Sequence, residues 1–260
     1  MSNAGFSAKK NYWGLTGLSI KTSNDGNSAS VAEAVNEYGD PTYRDIFGQT
    51  LNPSVEYLVI GSFNLASIAL GTVVTFGTGA SAKKLMMTQV VVKTAAGELP
   101  TITVSGVQVE SEASSRRTYS LLGTVLPRAR AQDVAGAFTS STNFREVTTT
   151  FAITPHVQTV AGNPVASDGS HGTVEVSVST SDPTGEFSFT AATGWDITGV
   201  QTENSPDADY ISKTATATKS LTGTEPSSRS ASQNLGASGD QNTAEPTATS
   251  GDQNTAEPTR

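Results

Sequence analysis

The chain of 260 residues contains no cysteine, which excludes disulfides, thiolate metal sites and cysteine nucleophiles. Histidine is nearly as scarce, with only His156 and His171. Charge is sparse at 15% of residues, and bases are the minority: 16 Lys and Arg stand against 24 Asp and Glu, for a net charge of −8. That balance argues against nucleic acid held by neutralising its phosphates, which needs a Lys/Arg surface. A surface that repels nucleic acid remains compatible with it. No run approaches the roughly 20 apolar residues of a membrane span, and the longest candidate, Val55 to Phe76, is broken by Gly61, Asn64 and Gly71. The opening stretch, Met1 to Gly14, lacks the continuous apolar segment of a secretion signal. The expectation is a protein made and folded in a cytoplasm. HExxH, a glycine-rich phosphate loop and a GxSxG nucleophile elbow are also missing.

What is present is the composition of strands and turns: 24 Gly, 11 Pro, and abundant Thr, Ser and Ala. The central stretch, Lys84 to Glu112, reads as two long strands joined by the turn Ala95-Ala96-Gly97-Glu98. In its second strand Ile102 and Val104 share one face, and Thr101, Thr103 and Ser105 the other. After Gly106 the parity slips, so that Val107 and Val109 take the apolar positions, which predicts a β-bulge at this glycine. Tyr57 to Asn64, Gly71 to Phe76 and Val147 to Thr154 read as further strands. Val174, Val176 and Val178 alternate with Glu175, Ser177 and Ser179 as in a half-buried strand, and Phe187 and Phe189 continue the pattern. Trp195 to Val200 and Ile211 to Leu221 close the set.

Two short helices are expected. Ser30 with Glu33 fits a capping box, Val31, Val35 and Tyr38 form a stripe, and Gly39 with Asp40-Pro41 would end a helix over Ser30 to Gly39. Arg128 to Phe138 is alanine-rich, and Val134 and Phe138 make an i, i+4 pair. The domain reading is an N-terminal arm (1–29), a single mainly-β sandwich or barrel with these helices (30–221), and a disordered tail (222–260). Within the arm Tyr12-Trp13-Gly14-Leu15 either packs on the domain or reaches a neighbouring subunit. In the tail Leu235 is the one large apolar residue, and SGDQNTAEPT at Ser238 to Thr247 recurs at Ser250 to Thr259. Ordering such a stretch costs tens of kcal/mol at ~1–2 kcal/mol per residue, and burying Leu235 returns only ~2 kcal/mol.

No catalytic, cofactor-binding or metal residue is assigned. His171 lies near Asp168, which leaves room for a metal or acid/base role, but a loop histidine of this kind reads as solvated. Glu175 and Glu186 read as polar residues of a strand face and a turn. Asp168, Asp182, Asp207 and Asp209 match no calcium loop. Arg116-Arg117 and Arg128 with Arg130 read as solvated faces or subunit salt bridges, with a nucleic-acid or phosphate contact as the lesser alternative. An enzyme is not expected.

In Tyr38-Gly39-Asp40, Ser54-Val55-Glu56-Tyr57 and Leu99-Pro100-Thr101-Ile102-Thr103-Val104-Ser105-Gly106, and in the order of elements with a short helix near Arg130 to Phe138, the chain resembles bacteriophage tail-tube and major tail proteins over Ser30 to Leu221. The resemblance implies a structural virion protein made in the host cytoplasm, whose copies form stacked rings, usually hexameric. The N-terminal arm and long loops would make contacts between rings. Its partners would be copies of itself and other phage tail or capsid proteins. DNA would pass only as non-specific cargo, membranes would play no part, and an acidic bore would let phosphate slide without sticking. A capsid decoration or head-fibre protein and a surface immunoglobulin-like adhesion module stay open as alternatives.

Overall fold

The computed structural model describes residues 9–35, 41–79, 82–109, 117–127, 130–139, 144–160, 163–182, 187–204 and 211–224. The expected tail therefore lies outside the described residues beyond Thr224. In chain order the strands are β1 (Ser19–Asn24), β2 (Asn27–Val35), β3 (Pro41–Leu51), β4 (Ser54–Leu58), β5 (Phe63–Asn64), β6 (Ala69–Leu70) and β7 (Val73–Phe76). There follow β8 (Lys83–Ala95), β9 (Thr101–Val109), β10 (Tyr119–Ser120), β11 (Thr124–Val125), β12 (Phe144–Val160), β13 (Asn163–Asp182), β14 (Asp196–Asn204) and β15 (Ile211–Ser220). The fold is mainly β, and among the described residues the one helical turn is the 3-10 segment Leu65–Ser67. Among the described residues no helix is long and apolar enough to cross a membrane.

A nine-stranded antiparallel sheet runs in the order β1-β4-β9-β8-β12-β13-β15-β14, with β7 on the free part of β8. The predicted central hairpin is its hub. β8 pairs β9 on one edge and divides the other edge between β7 (Lys83 to Met86) and β12 (Gln89 to Ala95). Cα atoms of β9 and β13 come within 8 Å, whereas three spacings of a flat sheet would hold them roughly 14 Å apart. The sheet is therefore strongly curled.

Register explains the core. Val55, Val104, Val90, Phe151 and Val174 stand opposite one another in turn across β4, β9, β8, β12 and β13, and all are buried. A second row runs Tyr57, Ile102, Val92, Thr149, Val176 and Ala217. The period-2 alternation of β9 and β13 thus puts one apolar residue of each of these two strands into each row, and the buried Thr149 is the polar member on β12. Against these rows pack Leu65, Ile68, Leu70, Tyr119, Leu121 and Phe138, carried by the two-stranded ribbons β5–β11 and β6–β10 and their loops. The arrangement is a sandwich of one large sheet and a thin second layer.

The N-terminal segment completes the core. Tyr12 and Trp13 are buried, and Trp13 Nε1 donates to the Val104 carbonyl at 2.9 Å. A Cβ on Gly106 would overlap both the Trp13 ring and the Met86 carbonyl, so this position needs glycine for close approach. The bulge predicted here exists, but its extra residue is Thr88 on the facing strand, between the pairs Met87–Gly106 and Gln89–Ser105. The segment is further tied down at Asp25, which accepts from Lys10 Nζ at 2.6 Å and from the Tyr12 hydroxyl. The Lys10 and Tyr12 hydrogen bonds hold the Asp25 carboxyl below its usual range.

Both expected helices are corrected. Ser30 to Val35 belongs to β2, paired with β3 through Val31–Ile46 and Ala34–Tyr43, and residues 36–40 lie outside the described set. A lone ten-residue helix is marginal, and Val31 and Val35 fit a two-residue repeat as well as a helical one. Residues 130–138 form turns instead of a helix. Asp133 Oδ2 accepts from the Phe138 N–H at 2.8 Å, and Gly136 adopts φ 68°, so the chain wraps around the carboxylate. Burial pushes the Asp133 carboxyl up, against the pull of the N–H groups of 135–138. Two expected strands are also shorter: the chain leaves the sheet after Leu58, and Phe187 and Phe189 lie in a non-strand segment.

Candidate functional site

The margin of the sheet differs from its interior. Along its core face β15 offers Ala215 and Ala217 and then Lys219, which stands opposite Val174 and ends the first core row. Beyond them, Ala217 pairs with Ile197 and Ala215 with Val200 on β14, and an extra residue, Thr198, brings both apolar side chains to the same side. Ile197 is 39% and Val200 55% exposed, so the core rows run out into solvent. Among the described residues the outer edge of β14 pairs no strand, and between Asp196 and Glu203 it carries no charge and no proline. Natural edge strands are ordinarily blunted by such residues. The opposite margin, β1, has a register shift as β14 does, but it also carries a charge in mid-strand, Lys21, which bridges to Glu56 at 2.9 Å.

Beside β14 a cavity of about 260 Å³ is floored by Phe151 and Val174 and walled by Leu122, Trp195 and Lys219. Lys219 Nζ sits 5.9 Å from the centroid of the Trp195 ring, a cation–π contact.

The two histidines, separate in sequence, meet on the β12–β13 hairpin. His156 Nε2 and Ser170 Oγ are 2.7 Å apart, and Ser170 Oγ lies 2.8 Å from His171 Nδ1. His171 has φ 53°, the only non-glycine residue with positive φ among those described. It falls in a bulge where His171 and Gly172 face a single residue, Ile153, between the pairs Ala152–Thr173 and Thr154–Ser170. A left-handed non-glycine residue costs of order 1–3 kcal/mol. Neither the bulge nor this cluster was legible in the sequence; the stretch Ser170-His171-Gly172 offered a turn-like glycine, but the left-handed conformation falls on the histidine before it.

The other flagged residues do not converge. Glu175 is exposed on β13, opposite Thr150 and Thr218. Asp168 stands opposite His156 in register, and Asp182 ends β13. Arg117 is half-buried and Arg130 exposed. Glu186, Asp207, Asp209, Arg116 and Arg128 lie outside the described residues. Among the described residues no three His, Cys, Asp or Glu side chains come together as a metal cluster. No protein-family model and no curated protein matches the chain.

Proposed function

We propose that this chain is a structural subunit that assembles with copies of itself, and within that class a phage tail-tube protein whose stacked rings enclose a conduit for DNA. The observation that carries self-assembly is the margin of β14, where the core rows end on exposed Ile197 and Val200 beside an edge that has no charge between Asp196 and Glu203 and no partner strand among the described residues. A second copy of the chain is the occupant that would cover it. An exposed edge of this kind joins sheets through backbone hydrogen bonds. The net charge of −8 suits a bore that repels phosphate. The helix near Arg130 to Phe138 that entered the resemblance is not formed, so the tube reading stands on the other sequence stretches, the run of strands and the charge.

Negative-stain electron microscopy of the purified chain, across concentration and salt, tests the proposal. Hollow rings or tubes are expected. Uniform small particles at every concentration would overturn the tube and direct the search to capsid decoration or adhesion. Val200→Lys, which places a charge on the bare margin, is expected to block assembly while the chain stays folded.

A further inference from the structure

We propose that His156 and His171, with Ser170 between them, form a binding site for a divalent late first-row transition ion of the zinc, nickel or copper type. Successive residues of a regular strand point to opposite faces. Ser170 and His171 nevertheless hydrogen-bond side chain to side chain at 2.8 Å. The bulge and the left-handed φ of 53° at His171 turn its ring onto the face of Ser170. The same hydroxyl lies 2.7 Å from His156 Nε2 on the neighbouring strand. Two imidazole nitrogens from different strands therefore converge on one oxygen at an exposed position, and a strained conformation holds one of them there.

Imidazole is the ligand type that zinc, nickel and copper favour, whereas magnesium and calcium take oxygen ligands. Two ring nitrogens and the Ser170 hydroxyl supply a partial coordination set that water completes. An alternative without a metal is a hydrogen-bonded cluster that only stabilises the bulge. Asparagine separates the two readings, because it tolerates the left-handed region yet removes the ring nitrogen.

The experiment titrates ZnCl2 into tag-free full-length protein by calorimetry, with the histidine ring signals followed by NMR. The expected result is saturable binding of one ion per chain that shifts both histidine rings together, with no saturable response to MgCl2. His156→Asn and His171→Asn should each weaken zinc at least about tenfold, since loss of a ligand's supporting contact alone costs about ten- to a hundredfold. Circular dichroism checks that each variant keeps its strands, and Ser170→Ala, which removes the oxygen but keeps both nitrogens, should weaken zinc less than either asparagine variant. Absence of saturable zinc binding, unchanged affinity in both asparagine variants, or an equal response to magnesium would overturn the proposal.

Discussion

The interior of the sheet and its β15–β14 margin are built on the same register but filled differently. From β4 to β13 the core rows carry Val, Tyr, Ile or Phe at every position but Thr149, with a second layer above them. At β15 the side chains shrink to alanine, and at β14 the rows emerge uncovered. The difference separates two tasks within one sheet. The interior holds the fold through dense packing, and the margin, which no described residue covers, is where the proposed association would act. Substitutions in the first region should act on stability, and those in the second on association.

The largest effect is expected at Trp13, whose buried ring closes the interior over Gly106. Trp13→Ala should cost about 3–5 kcal/mol, read as a lower urea midpoint with an unchanged slope. Gly106→Val attacks the same contact from the other side, because its side chain cannot share the space of the ring and the Met86 carbonyl. A cost of about 1–3 kcal/mol is expected, and a neutral result would mean that Trp13 contributes little to the interior.

Ionisation sharpens the contrast on a smaller scale. Burial raises the Asp133 carboxyl above its ordinary 3.8, so the folded chain holds that proton more tightly than the unfolded chain. Its contribution therefore improves as pH falls through the raised value towards 3.8 and is lost above it. Asp25 is lowered by Lys10 and Tyr12 and acts with the opposite sign. Its contribution is present above 3.8 and disappears as pH falls through the lowered value. Asp133→Asn should thus change the pH slope of stability only in the window above 3.8, as read by denaturation at several pH values. An unaltered slope would show that the carboxylate is solvated.

The smallest expected effect on stability is at the margin. Val200→Lys should alter the folding free energy by no more than about 0.5 kcal/mol, while sedimentation reports loss of self-association. If stability falls as much as in the Trp13 variant, the margin belongs to the core and the contrast fails.

The parts of this fold legible in the sequence are those where periodicity and pairing agree. Val174 to Val178 and the Lys84 to Val109 hairpin alternate because one face meets the core, and that face needs no distant information to be recognised. Ser30 to Val35 fits two periods because the stripe is short, and the partner that decides between them, β3, comes later in the chain. The turn at Asp133 depended on a side chain capturing its own backbone. The parity slip marks Gly106, but the need for glycine there comes from the close approach of the Trp13 ring and the Met86 carbonyl, which local pattern does not show. The bare β14 margin and the His156–Ser170–His171 cluster depend on strand order and register, which local pattern does not contain.

The contact between Trp13 and Val104 spans 91 positions along the chain. During synthesis the indole leaves the ribosome well before the strand that receives it, and hairpins such as β8–β9 can close in the interval. Long-range closure of this kind is slow compared with local pairing. Docking of the first segment then becomes a late event, and a nascent chain would present an unburied tryptophan until the central hairpin is complete. Refolding watched through Trp13 fluorescence, with Trp195 replaced by Phe, should show burial lagging behind strand formation; simultaneous signals would place the first segment in the folding nucleus.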